Sequence, residues 1–109
     1  MVEIKNVSSK SEFDQIVGNN EIVLVDFWAT WCGPCKLFGQ NILPKFANEI
    51  EDIEIIKVDV DIANELAVQY GISTVPTILI FKNKDVVKKL TGLQQKKDLL
   101  LAIEEIKNI

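Results

Sequence analysis

The spacing of apolar positions changes repeatedly along the chain, and each change marks a predicted element. Val2 to Val7 alternates weakly and reads as a first strand. Ser9 and Glu12 have capping-box spacing, in which hydroxyl and carboxylate each serve a free backbone N–H. Phe13, Ile16 and Val17 then recur at helical spacing until Gly18-Asn19-Asn20 stops the helix. Ile22 to Ala29 is apolar without alternation, the pattern of a strand buried on both faces. Thr30 to Pro34 is a break. Helical spacing follows to about Glu49, with Leu37, Phe38, Ile42, Phe46 and Ile50 on or near one face. Ile53 to Val60 is a second β-branched strand. Asp61 is placed to cap a short helix that carries Leu66 and Tyr70 and ends at Gly71. Thr77 to Phe81 is another core strand, and Asn83-Lys84-Asp85 turns the chain into Val86 to Leu90. Gly92 breaks the chain before a last helix, from about Gln94 to Lys107, with Leu99, Leu100, Ile103 and Ile106 inward.

The order β-α-β-α-β-α-β-β-α predicts an α/β fold. Crossovers pair the first strands in parallel, and the closing hairpin adds an antiparallel edge. Four helices would flank both faces of a mixed five-stranded sheet. The 109 residues suit a single domain over 1–109, and a 48% apolar content allows it a real core. A net charge of -4, with no basic stripe, argues against nucleic acid or anionic membrane as partner. Met1 to Asn6 contains no apolar signal core, and no apolar run approaches bilayer length, so a cytoplasmic setting is expected.

The chain has two cysteines and no histidine. They stand three positions apart in Trp31-Cys32-Gly33-Pro34-Cys35-Lys36, after a buried strand and at the opening of a helix. A bare C-x-x-C often forms half of a zinc site, but zinc needs further Cys or His ligands that one chain lacks, although two chains could share a metal. As a staple, so short a loop adds little stability. A buried inert pair is the remaining alternative, and Gly33-Pro34 at a strand-to-helix break argues for exposure. The first turn of a helix offers unpaired N–H groups and a partial positive charge, which favour a thiolate at Cys32. Cys35, one turn further on, is within bonding reach as the resolving thiol, and Pro34 restricts the backbone between them.

Asp26 and Lys57 each interrupt an apolar strand. Burial raises the pKa of a carboxylate. A bland reading ties Asp26 to a backbone or lysine partner, with Lys57 as that companion charge. Lys57 taken alone could equally reach solvent from the sheet end. Pro76 could merely start a strand and Gly92 merely form a turn. Trp28 is expected to pack behind the active-site loop, with Trp31 exposed.

The run Asp26-Phe27-Trp28-Ala29-Thr30-Trp31-Cys32-Gly33-Pro34-Cys35-Lys36 resembles the active-site signature of the thioredoxin family. The resemblance continues through Lys57-Val58-Asp59-Val60-Asp61, Tyr70-Gly71-Ile72, Thr74-Val75-Pro76-Thr77 and Gly92, so it spans essentially the whole chain. It implies the thioredoxin fold and reduction of protein disulfides, with Cys32 as nucleophile and Cys35 as resolving thiol. It also implies proton exchange with Cys35 at Asp26, a cis Pro76 against the cysteines, and free backbone at Thr74 and Val75 for an extended substrate. Trp31, Gly33, Pro34, Val75, Pro76, Gly92 and Leu93 would form the docking surface. The implied partners are a thioredoxin reductase and disulfide-bearing proteins. No cofactor or metal is expected in this chain, which would act as a monomer. An oxidant or isomerase in an exported compartment is a second reading. A binding or chaperone-like subunit with secondary thiols is a third.

Two departures from the family pattern bear on geometry. Gln40 stands where many members have a helix-kinking proline, and Pro44 follows one turn later, so the kink is expected to move or the helix to restart near Asn41. Lys84 replaces a turn glycine.

Overall fold

The computed structural model describes residues 1–109 as one mixed sheet between two layers of helices. The strands are β1 (Ile4–Asn6), β2 (Ile22–Trp28), β3 (Glu54–Asp59), β4 (Thr77–Lys82) and β5 (Asp85–Thr91), in the spatial order β1-β3-β2-β4-β5. β1, β3 and β2 run parallel, while β4 and β5 are antiparallel to their neighbours. The helices are α1 (Lys10–Asn19), α2 (Gly33–Leu37), α3 (Leu43–Glu49), α4 (Asn64–Gln69) and α5 (Lys96–Lys107). A π-helical turn, Phe38–Ile42, joins α2 and α3 into one bent rod. The predicted elements are therefore present, with ends displaced by one or two residues. No helix is long and apolar enough to cross a membrane.

The period-two pleat sorts the strand side chains into two cores. Val23, Val25, Phe27, Ile56, Val58, Leu79 and Phe81 meet Phe13 and Val17 of α1 and Leu66 of α4 on one face. Ile22, Leu24, Ile55, Ile78 and Ile80 meet Phe38, Leu43 and Phe46 of the bent rod and Leu99, Ile103 and Ile106 of α5 on the other. Asp26 follows Leu24 by two residues, and Lys57 follows Ile55 by two. Both therefore belong to the rod-covered face, side by side in the β2–β3 register.

The proline displacement has a specific outcome. Pro44 lies in the first turn of α3, where its missing N–H is least costly. The residue before it, Leu43, donates its N–H to the Phe38 carbonyl five residues back, and the widened turn takes up the bend. Leu37, expected near the inner face, is instead exposed.

The short helix also departs from expectation. Asp61 does not cap α4. Asp59 Oδ1 accepts from the N–H groups of Asp61 and Ile62, at 2.9 and 3.3 Å, and so holds the turn that leads to it. At the hairpin, Asn83 and Lys84 both have positive φ, 51° and 77°, as a two-residue turn of mirror-image type requires. Ser9 caps α1, its Oγ accepting from the Glu12 N–H at 3.1 Å. Replacing Ser9 with alanine is expected to cost about 1 kcal/mol in denaturant unfolding without altering redox behaviour.

Candidate active site

β2 delivers the chain to the end of the sheet at Trp28, and Ala29 to Trp31 turn it into α2. Cys32 is the N-cap of that helix: its backbone is extended and its Sγ accepts the Cys35 N–H at 3.1 Å. A donor aimed at sulfur favours the thiolate over the thiol when the pair is reduced. Cys32 and Cys35 form a disulfide, their Cα atoms 5.3 Å apart. Cys32 is 6% exposed and Cys35 1%, so Cys32 is the more accessible residue of the pair. Gly33 and Pro34 lie exposed between them.

The loop before β4 closes over the pair. The Val75–Pro76 peptide is cis, and Cys32 Sγ lies 3.7 Å from the Val75 carbonyl oxygen. Pro76 is buried, and its carbonyl accepts the Gly92 N–H at 2.8 Å, where Gly92 turns with φ 86°. The Thr74 carbonyl accepts from Thr77 Oγ1 at 2.7 Å. The N–H of Val75 has no partner within the chain, and its carbonyl meets only the Cys32 sulfur. Trp31 is 69% exposed and donates its indole N–H to Asp61 Oδ2 at 2.9 Å. Its ring and Val75 border a hollow of about 330 Å³, which Val60, Ile72, Ser73 and Thr74 complete. Trp28 packs behind the loop against Ala29, Cys32 and Cys35, as its position after a core strand suggests.

Asp26 is fully buried, and neither carboxylate oxygen has a hydrogen-bond partner. Burial raises its pKa from 3.8 to about 7, and the positive charge of Lys57 opposes part of that rise. Lys57 makes no direct ion pair with it. The ammonium instead sits over the Trp28 ring, 4.5 Å from the centroid, a cation–π contact that keeps the charge in the neighbourhood.

The thioredoxin family profile matches residues 4–105. The chain belongs to the thioredoxin family. A thioredoxin of Mycoplasmoides gallisepticum is 40% identical over 88% of this chain and 95% of its own. A thioredoxin of Schizosaccharomyces pombe is 40% identical over 82% and 85%. Among solved structures, a mutant thioredoxin from Halobacterium salinarum superposes with a TM-score of 0.87 at 35% identity, over 94% of this chain and 89% of its own. Thioredoxin from Plasmodium falciparum gives 0.82 at 38%, over 93% and 97%. The fold is the thioredoxin fold. With a disulfide in the active-site position, the chain is a dithiol–disulfide oxidoreductase that reduces protein disulfides.

Relative to this thioredoxin frame, two residues at the site were not foreseen from the sequence. Asp61, read as a helix cap, holds the Trp31 indole. Gly39, in the π turn, lies against the end of Lys57. The first was readable only as a spare acid near a β-strand end. The second carried no signal beyond being a glycine inside a helical pattern.

Proposed function

We propose that the chain acts as a single domain over residues 1–109 in which Cys32 attacks a protein disulfide and Cys35 resolves the product. The observation that carries this assignment of roles is the asymmetry of the pair: the Cys32 sulfur caps the helix and its residue is the less buried, while Cys35 lies one turn in and is buried more deeply.

The Cys32 thiolate attacks one sulfur of the target disulfide. A bond from Cys32 to the target forms, the target disulfide breaks, and one target thiolate leaves. Cys35 then loses its proton and attacks Cys32 Sγ. The Cys32–Cys35 bond forms, the mixed disulfide breaks, and the second target thiolate leaves. Two electrons pass from the pair to the target. Asp26, with a pKa of about 7, suits the role of acceptor for the Cys35 proton, since it is poised to take and return a proton near neutral pH. Lys57 assists by moderating the cost of the charge that results.

Extended target segments dock beside Val75, whose N–H is unpaired, with Trp31, Gly33, Pro34, Thr74, Pro76 and Gly92 around it. The oxidised pair is recharged by a thioredoxin reductase, and the protein works as a monomer in the cytoplasm, where the thiol poise suits a reductant. No cofactor is needed in the chain itself.

The test is the reduction potential of the pair, by equilibration in defined thiol–disulfide buffers. A value well below the glutathione poise is expected. A value well above it would make the protein an oxidant or isomerase and remove the reductase from its cycle.

A further inference from the structure

Lys57 needs room at the end of its side chain, and that room comes from the helix above it. A Cβ built on Gly39 would lie 3.0 Å from Lys57 Nζ and 3.7 Å from Cε, with no other atom from beyond its own helical turn within 4 Å. On its other side the same ammonium rests on the Trp28 ring. The charge is thus held in a slot between a bare stretch of helix backbone and an indole face. Glycine is the poorest helix former after proline, so local propensity gives no reason for it here. Its place in the π turn, between α2 and the proline-started α3, sets which backbone faces the sheet at this height.

We propose that Gly39 is a positioning residue: its missing side chain fixes the Lys57 ammonium against Trp28 and beside Asp26. The inference rests on the reading of Asp26 as proton acceptor only for its catalytic meaning. The slot itself stands on distances. Around Asp26 the titratable groups on the covering elements are few. β3 supplies Lys57, while Cys32 and Cys35 are joined in a disulfide, which does not titrate, at the head of α2. Its remaining charged residue, Lys36, is exposed. β4 presents Ile78 opposite Asp26, and α5 contributes Leu99, Ile103 and Ile106 to this face. Lys57 is therefore the cation whose displacement Asp26 would register.

The experiment follows the Asp26 carboxyl by NMR titration in the oxidised protein, in Gly39→Ala and Gly39→Leu, each with and without Lys57→Met. Alanine asks the lysine to give by a few tenths of an ångström, and leucine fills the slot. Both residues favour helix over glycine, so folding should persist. The Asp26 midpoint is expected to rise slightly with alanine and by about one pH unit with leucine, as an opposite charge withdraws. In the Lys57→Met background neither substitution should move it further. A midpoint that stays put with leucine, or that moves equally without Lys57, overturns the proposal. The pH profile of mixed-disulfide resolution is recorded in parallel. A midpoint that moves as expected while the profile stays fixed sustains the slot and removes Asp26 from the proton-transfer role.

Discussion

Cys35→Ser is expected to turn the protein from a catalyst into a covalent trap. Cys32 keeps its helix-capping position and still attacks a target disulfide, but no second sulfur stands one turn away to release the product. Resolution then depends on thiols from solution. Even an effective concentration of about 1 M, far below the roughly 10⁵ M that well-oriented groups reach, exceeds millimolar external thiol about 10³-fold, so turnover should fall by at least about that factor. Mass spectrometry of the variant mixed with a disulfide-bearing protein should show the one-to-one adduct, removed by added dithiol. Cys32→Ser should show neither turnover nor adduct, because Cys35 is 1% exposed. If the reverse held, with the adduct on Cys35, the roles assigned to the pair would be exchanged. If a variant with both cysteines replaced kept its biological function, the protein would be a binding subunit on a redox fold.

The second large effect concerns stability, and its sign depends on pH. Asp26 titrates at about 7 in the folded chain against an ordinary 3.8, so between those values the folded state binds the proton that the unfolded state has lost. Stability is then fully present below about pH 4 and declines as pH rises through 7, because ionising the buried carboxyl costs more inside the protein than outside. The difference from 3.8 to about 7 corresponds to up to about 4 kcal/mol. Asp26→Asn should therefore match the parent near pH 4 and exceed it by up to that amount above about pH 8, with slower resolution of mixed disulfides as the functional cost. Denaturant unfolding of the oxidised proteins from about pH 4 to 9 reads this directly. A constant difference across that range would show that the carboxyl is not the origin of the slope.

These effects draw on parts of the molecule that were unequally legible in the sequence. The strands of the core were readable because Ile22 to Val25 and Ile78 to Phe81 are apolar without alternation, the pattern of a doubly covered strand. The cysteine pair was readable because a strand, a Gly-Pro break and a helix follow one another without interruption. Asp26 was conspicuous as a charge in a dry strand. The division of labour between Asp59 and Asp61 was not readable. Two acids two residues apart look alike in a string, and only the turn geometry gives one the backbone N–H groups and the other the Trp31 indole. Pro44 announced a bend but not its form, since a kink, a break and a π turn share the same missing N–H. Gly39 was silent for a different reason: the side chain that needs its emptiness comes from β3, eighteen residues later, and meets it only once the rod packs on the sheet.

The strand order also governs where a foreign chain can join the molecule. An open sheet has two lateral edges, each a row of peptide groups that another polypeptide could zip onto. Here one edge is β1, three residues long. The other, β5, carries Lys88 and Lys89, and Val87 is an extra residue opposite Ile80 and Phe81 of β4, a bulge that twists the edge away from a straight template. Both margins are thus discouraged from self-association, the usual hazard of an uncovered sheet. The unpaired Val75 amide lies elsewhere, at the tip of the sheet beside the sulfurs. A segment refused at both margins is left the end of the sheet, where the docking backbone proposed at Val75 stands beside the cysteines.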